Sequence, residues 1–249
     1  TSVDIAVEKE LKNNLLKLLP SSNFIGEEEY SLNENILKSY QENNYCWTVD
    51  PIDGTTNFVK GRDKFAIMIA LTFKEKILYS WIYKPLENAM CKAIYKEGAF
   101  INNNKINTKS VDTLDKAIGS ISTKYWKDND WEQIKILKKE FADIKSYRCI
   151  GYEYVDIGEG KRNFAILSKL SPWDHIPGIL FVRESGGSDI DFDKKKYDLI
   201  NDTYYGNCFI KIVVSFNREY FFINNSRITI DYNIEAYSLE NPDLKVPID

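Results

Sequence analysis

The clearest helical pattern lies near the start of the chain. At residues 4–19, apolar side chains from Val7 to Leu18 recur at the spacing of one helix face, and Pro20 follows directly. A stretch with this period that ends just before a proline predicts an amphipathic helix. Further helices are predicted at residues 131–141, 152–160 and 173–185, the last closed by Gly186 and Gly187.

Strand-like segments lie between the predicted helices. Residues 65–73, 76–83 and 89–95 are rich in β-branched and aromatic side chains, which predicts three consecutive antiparallel strands. The run NNNK at 102–105 is typical of a turn that closes another hairpin. The other predicted strands are residues 45–49, 147–150, 164–167 and 209–215. This mixed order favours layers of helices and sheets over a simple parallel doubly wound sheet.

Composition narrows the class of protein. The chain has 249 residues, of which 43% are hydrophobic, and this length suits one large domain with a substantial core. Its formal net charge of −4 argues against a nucleic-acid surface. The sequence shows neither a bilayer-spanning apolar run nor a signal peptide, and its four cysteines lack the spacing of a disulfide framework. We therefore expect a cytoplasmic protein with reduced thiols and no nucleic-acid or membrane partner.

The stretch WTVDPIDGTTNF, residues 47–58, carries the most specific chemistry. Asp50 and Asp53 lie three residues apart, directly before Gly54. Pro51 biases Asp50 towards an extended backbone, and Gly54 permits a turn that most residues resist. Two carboxylates with a carbonyl between them suit Mg²⁺, Mn²⁺ or Ca²⁺, and a helix that begins near Thr55 would add an anion site. Metal-assisted phosphate ester hydrolysis fits this pattern, but so does a purely structural turn.

Spacing excludes two other motifs. An EF-hand loop with Gly54 at its sixth position would have Val49 first and Lys60 twelfth, where oxygen ligands are required. A phosphatase with an aspartyl nucleophile resembles DxDGT, but the position of that nucleophile is Pro51 here. Neither motif therefore explains the aspartate pair.

The longer stretch closely resembles the signature of the inositol monophosphatase family. Three further segments are similar to segments of that family: FIGEE at 24–28, PWDHIPG at 172–178 and TSVD at 1–4. The resemblance covers residues 1 to about 190. It implies an α+β fold, the layered αβαβα sandwich of inositol monophosphatases and fructose bisphosphatases. We expect a single domain over 1–249, with halves at about 1–110 and 111–230 and a further helix before Thr1.

The resemblance also implies roles for particular residues. One cation would be held by Glu27, Asp50 and the carbonyl of Ile52, and a second by Asp50, Asp53 and Asp174, with Glu27 sharing a weaker third. Thr55, paired with Asp4, would orient the attacking water and help to deprotonate it. Gly54 and Thr55 would bind phosphate through backbone N–H groups. The implied cofactor is Mg²⁺, two or three ions per site, with Mn²⁺ as a substitute.

Substrate contacts are less marked in the sequence. Inositol-active relatives carry a glutamate seven residues before the WD aspartate, where this chain has Leu167. Glu153 stands in the segment that borders the inositol ring in those relatives, so we expect Glu153 to contact the substrate. Glu27 lies in a run of acids and Asp174 at a helix start, so each also fits a structural role. His175, the only histidine, is left out of the catalytic set.

These observations predict an Mg²⁺-dependent phosphomonoesterase that acts on a small phosphorylated metabolite and assembles as a homodimer. Within this class, a histidinol-phosphate, fructose-bisphosphate or nucleotide 3′-phosphatase remains an alternative. Outside it, the alternative is a non-catalytic relative that binds phosphate or metal as a regulator.

Overall fold

A computed structural model describes residues 1–74, 76–122, 128–168, 171–190 and 196–199, together with the strands at 211–214, 220–223 and 226–229. The predicted strand at 209–215 is therefore confirmed for 211–214, and its ends lie outside the described residues. The segment after residue 233 also lies outside them.

A seven-stranded sheet holds the first part of the chain. Its strands follow one another in sequence order, with β1 parallel to β2 and every later neighbour antiparallel. The predicted antiparallel strands and the turn near Asn102 are confirmed, whereas β1 had no predicted counterpart. The strands are β1 Asn23–Gly26, β2 Tyr45–Asp53, β3 Ala66–Phe73, β4 Lys76–Lys84, β5 Ala89–Ile94, β6 Gly98–Ile101 and β7 Asn104–Ile106.

A five-stranded sheet follows in the order β11-β12-β10-β8-β9. The strand β8 pairs in parallel with β9 and β10, and β12 is antiparallel to both of its neighbours. A separate antiparallel hairpin lies beyond it. The strands are β8 Ile118–Ile121, β9 Asp143–Ile144, β10 Phe164–Leu167, β11 Ser188–Ile190, β12 Lys211–Val214 and, in the hairpin, β13 Tyr220–Ile223 and β14 Ser226–Thr229.

The described helices match the predicted ones closely. Gly186, with a φ of +93°, ends the last helix as expected, and its N–H donates to Arg183. The short helices after β1 and β2 contain too few residues to show a periodic pattern. The helices are α1 Ser2–Leu18, α2 Glu27–Leu32, α3 Thr55–Val59, α4 Asp128–Leu137, α5 Ile150–Gly158 and α6 Pro172–Glu184, with 3₁₀ turns at Glu34–Gln41, Pro85–Glu87, Leu114–Lys116 and Lys138–Glu140.

The predicted strand at 147–150 is wrong. Arg148 has a φ of +57°, outside the extended region, and α5 begins two residues later at Ile150. The N–H of Tyr147 donates to the side chain of Glu153. The residues that favoured a strand instead form the turn that leads into α5.

The elements stack in five layers. Leu11 and Leu15 of α1 pack on Trp47 and neighbouring side chains on one face of the seven-stranded sheet. On its other face lie α5 and α6, and Ile179 of α6 is fully buried there. The five-stranded sheet follows, and Phe141, just past α4, stacks on Phe164 with ring centroids 4.0 Å apart. The αβαβα sandwich expected from the family resemblance is thus confirmed.

Two smaller expectations also concern the fold. Among the described cysteines, Cys46, Cys91 and Cys149 are buried free thiols. None of the helices described by the structure has both the length and the apolar character needed to cross a membrane. The seven-stranded sheet ends at Ile106 and the other begins at Ile118, but the single-domain organisation with two halves stays a prediction.

Candidate active site

The aspartate pair lies at the end of β2, where the strand departs from regular pairing. The register between β2 and β3 shifts between Asp50 and Asp53, so the strand bulges at this point. The N–H of Ile52 donates to the Asp50 carboxylate at 2.9 Å, which fixes that side chain on its own loop. Both aspartates are buried, with 2% and 7% of their surface exposed.

A third carboxylate reaches the same point from the other half of the chain. Asp174 lies in the first turn of α6, which Pro172 begins at a position where no N–H partner is needed. One carboxylate oxygen from each of Asp50, Asp53 and Asp174 lies within 4.8 Å of the others. The structure therefore brings together three of the predicted metal ligands.

The electrostatics of this cluster favour a bound cation. Burial, reinforced by the charges of Asp174 and Asp53, raises the pKa of Asp50 well above its usual range. Burial also raises the pKa of Glu27, to about 7, and the carboxylates of Asp174 and Asp53 contribute to this shift. Acids that raise one another's pKa in a buried site are stabilised by a metal ion, which reverses the local potential. An all-oxygen ligand set of this kind fits Mg²⁺, Mn²⁺ or Ca²⁺.

Glu27 is held next to the cluster by a residue that the sequence analysis did not single out. It is the first residue of α2, and the following N–H groups of Glu28 and Glu29 donate to the Glu8 carboxylate at 2.9 and 2.8 Å. A Cβ at Gly26 would lie 2.3 Å from the Glu8 carboxyl carbon, so a side chain there would displace this carboxylate from its hydrogen bonds. Glu8 follows Asp4 by one helical turn, and this spacing is the signal that could have identified it.

Thr55 and Asp4 meet as the family resemblance implied. The Thr55 hydroxyl lies 3.0 Å from the carbonyl of Ile52 and 3.4 Å from a carboxylate oxygen of Asp4. Asp4 is 1% exposed although it lies in the second position after the helix start. The hydroxyl, the carbonyl and the carboxylate thus form one polar group at the end of β2.

The position of Gly54 does not accommodate a side chain. Its φ is +85°, and a Cβ would lie 2.9 Å from the carbonyl oxygen of Lys64. Only glycine adopts this conformation without strain, and α3 begins directly after it. The turn therefore directs the backbone of Gly54 and Thr55 alongside the acidic cluster.

Asp53 is anchored by the start of α5. The N–H groups of Ile150 and Gly151 donate to its two carboxylate oxygens at 3.1 and 2.6 Å, and the Cys149 thiol lies 3.0 Å from one of them. These bonds oppose the effect of burial, which nonetheless raises the pKa of Asp53. Cys149 is a second residue that sequence reasoning missed, since a lone cysteine carries no spacing signal.

Glu153, the expected substrate contact, is held by hydrogen bonds within the protein. Its side chain is 3% exposed and accepts hydrogen bonds from the hydroxyls of Ser120 and Ser146 and from the N–H of Tyr147. These contacts give Glu153 a structural role, and its contact with substrate stays a prediction. Leu167 is also buried, in the hydrophobic core.

His175, which the sequence analysis left out of the catalytic set, is buried in the core. Its Nδ1 atom shares a hydrogen bond of 2.7 Å with the Tyr154 hydroxyl.

Comparisons with known proteins agree with this geometry. Residues 1–208 match the model of the inositol monophosphatase family. Inositol monophosphatase 2 of Solanum lycopersicum is 30% identical over 207 residues, which cover 80% of this chain and 77% of the relative. The Nus factor SuhB of Escherichia coli (strain K12) is 31% identical over 196 residues, covering 77% and 71%.

A solved structure shares the fold. The crystal structure of an IMPase/NADP phosphatase complexed with NADP and Ca²⁺ superimposes with a TM-score of 0.74 at 24% identity, over 86% of this chain and 78% of the other. The match of the family model extends from α1 to beyond α6 and so includes every predicted metal ligand. With its acidic cluster, its layered fold and these relatives, the chain belongs to the inositol monophosphatase family.

Proposed function

We propose that this protein is an Mg²⁺-dependent phosphomonoesterase that hydrolyses a small phosphorylated metabolite. The observation that carries the proposal is the convergence of Asp50, Asp53 and Asp174 within 4.8 Å, with Asp50 and Asp53 buried and Asp174 partly exposed. When bound there, a pair of divalent cations supplies Lewis acidity and a nucleophilic water at neutral pH. Relatives named as phosphatases support the reaction class.

We assign the remaining residues by their contacts. Glu27 and the Ile52 carbonyl complete the oxygen ligands, the former from the start of α2. The Thr55 hydroxyl, between Asp4 and that carbonyl, orients the attacking water and passes its proton towards the carboxylate. The backbone N–H groups of Gly54 and Thr55 hold the phosphate oxygens.

A generic aryl phosphate tests the proposal without knowledge of the natural substrate. We expect phosphate release that requires Mg²⁺, is supported less well by Mn²⁺, and stops when EDTA is added. Mg²⁺-independent release, or no release with any phosphate ester, would contradict the proposed function.

A regulatory role is the second candidate, because one relative that is 31% identical is named a Nus factor. A protein that only binds phosphate or metal has no need of the Thr55–Asp4 pair beside the acidic cluster. Metal-dependent turnover distinguishes the two candidates, since a pure regulator binds Mg²⁺ without releasing phosphate.

The preferred substrate is expected to differ from inositol 1-phosphate. Leu167 cannot hydrogen-bond a sugar hydroxyl, and Glu153 is engaged with Ser120, Ser146 and Tyr147. A hydroxyl that loses its partner in a closed site costs about 1–3 kcal/mol. We expect fructose 1,6-bisphosphate, adenosine 3′,5′-bisphosphate or histidinol phosphate to equal or exceed inositol 1-phosphate in kcat/KM. A tenfold lead for inositol 1-phosphate, about 1.4 kcal/mol, would refute this expectation.

Assembly and location complete the proposal. We propose a cytoplasmic homodimer, in keeping with the family and with the negative net charge of −4. The chain has a mass of 28.9 kDa, and light scattering at micromolar concentration is expected to give twice that mass. A monomer mass under the same conditions would contradict the dimer.

A further inference from the structure

Glu153, whose side chain is 3% exposed, lies at the centre of a hydrogen-bond network. One of its carboxylate oxygens accepts from Ser120 of β8, and the other accepts from the hydroxyl of Ser146 and the N–H of Tyr147, both at 2.8 Å. Ser146 in turn accepts from the N–H of Arg148 at 3.0 Å. A single side chain of α5 thus joins the five-stranded sheet to residues 145–149, the segment that enters α5 from β9.

That segment also touches the acidic cluster. Asn57 of α3 donates its amide to the carbonyl of Tyr147 at 2.9 Å. At its end, Cys149, Ile150 and Gly151 donate to Asp53. The side chain of Gly54, if it had one, would lie 3.4 Å from the carbonyl oxygen of Arg148. The conformation of residues 146–149 therefore sets the position of the groups that orient Asp53 and support the turn at Gly54.

The backbone conformation of residues 146–149 is unfavourable unless other contacts stabilise it. Arg148 has a φ of +57°, a region that is unfavourable for a residue with a long side chain. The bond from the Arg148 N–H to Ser146, and the bonds from Ser146 and Tyr147 to Glu153, hold this turn in place. An apolar side chain at 153 would leave the N–H of Tyr147 and the hydroxyl of Ser146 without these acceptors.

We infer that Glu153 is a positioning residue for the metal centre: through Ser146 and Tyr147 it fixes the segment whose N–H and thiol groups orient Asp53. The inference rests on the proposed function only for the identity of the bound cation.

Two serine variants separate positioning from simple stabilisation. Ser120→Ala and Ser146→Ala each remove one hydroxyl from the same carboxylate, but only Ser146 lies on the segment that leads to Asp53. We expect Ser146→Ala to weaken the binding of Mn²⁺ about tenfold, as loss of a group that orients a metal ligand commonly does. Ser120→Ala is expected to bind Mn²⁺ as the wild type does. Its melting temperature should fall further than that of Ser146→Ala, because Ser120 is 1% exposed.

Variants of Glu153 provide the second comparison. Glu153→Gln keeps an acceptor for Tyr147 and is expected to retain most of the Mn²⁺ affinity, whereas Glu153→Ala is expected to lose it. Where the protein turns over an aryl phosphate, the positioning role predicts that Ser146→Ala raises the Mg²⁺ concentration required and leaves the KM for the ester nearly unchanged.

The titration with Mn²⁺ alone keeps the two proposals apart. A weakened affinity in Ser146→Ala with no phosphatase activity in any variant would overturn the proposed function and support the positioning role. Equal Mn²⁺ affinities for Ser120→Ala and Ser146→Ala, or no Mn²⁺ binding by the wild type, would overturn the positioning role. If Glu153→Ala fails to fold, the serine pair alone decides.

Discussion

Replacing Asp53 or Asp174 by asparagine is expected to lower Mg²⁺-dependent phosphate release by at least about a hundredfold, more than the loss of a group that only orients a ligand. Each change removes a negative charge from a cluster whose three carboxylates lie within 4.8 Å, at nearly constant side-chain volume. The loss should appear in kcat rather than in the KM for the ester. Initial rates over a range of Mg²⁺ concentrations measure it.

An exposed aspartate supplies the control for these variants. Asp63 lies on the surface near α3, so Asp63→Asn changes the net charge equally without touching the cluster. All three proteins should give the far-ultraviolet circular dichroism of the wild type, and the control should keep its rate. Near-normal rates in folded Asp53→Asn or Asp174→Asn would show that the cluster is not the metal centre.

The largest effect on stability is expected at Gly178, where α6 crosses α5. A Cβ at this position would lie 2.0 Å from a ring carbon of Tyr154, which is itself fully buried. The helix propensity of alanine favours the change by about 1 kcal/mol, but overpacking a rigid ring costs more. We expect Gly178→Ala to destabilise the protein by about 2 kcal/mol net, with a fall of roughly 4–8 °C in melting temperature.

A double-mutant cycle identifies the cause of this loss. Tyr154→Leu removes the ring that the new methyl group would meet, so Gly178→Ala should cost far less in that background. Gly61→Ala is the matched surface control, because a Cβ there meets no atom within 4 Å and only the φ of +63° opposes it. A Gly178→Ala protein as stable as the wild type would show that α5 and α6 can move apart freely, and equal costs with and without Tyr154 would show that its ring is not the cause of the loss.

The sequence predicted the elements with a regular helical repeat or a strand-like composition. β3 was predicted from its β-branched and aromatic side chains, and in the structure Ala66, Met68 and Ala70 face α5 and α6 while Ile69 and Leu71 pack with α1. The ligands on β2 and α6 were identified from the family resemblance and from the chemistry of carboxylates. Their convergence is a property of the local turn at Gly54 and of the start of α6, both of which the sequence marks with glycine or proline.

The failures have a common physical origin in tertiary contacts. The segment at 147–150 has the composition of a strand, but the bond from Tyr147 to Glu153 holds it as a turn. The hydrogen bonds of Glu153 to Ser120, Ser146 and Tyr147 were not predicted, because only the chemistry of its carboxylate is visible in the sequence. In the sequence, Glu8 is one of several acids on a polar helix. In the structure, it accepts hydrogen bonds from two N–H groups of α2. Ser120 lies 33 residues from Glu153 and Glu28 lies 20 residues from Glu8, so no local pattern indicates these contacts. Tyr147 lies only six residues from Glu153, but their contact forms across the turn at Arg148, whose positive φ the sequence does not mark.

The anchoring of Asp53 by α5 also determines when the centre can assemble during synthesis. Gly151 and Asp53 are 98 residues apart, and Asp174 joins them only when α6 has packed. A nascent chain that leaves the ribosome one residue at a time can form the seven-stranded sheet early, since its strands pair mostly with their neighbours in sequence. Until α6 emerges, Asp50 and Asp53 lack their third carboxylate. A cation held by all three of these carboxylates would therefore stabilise only chains in which α6 has already packed.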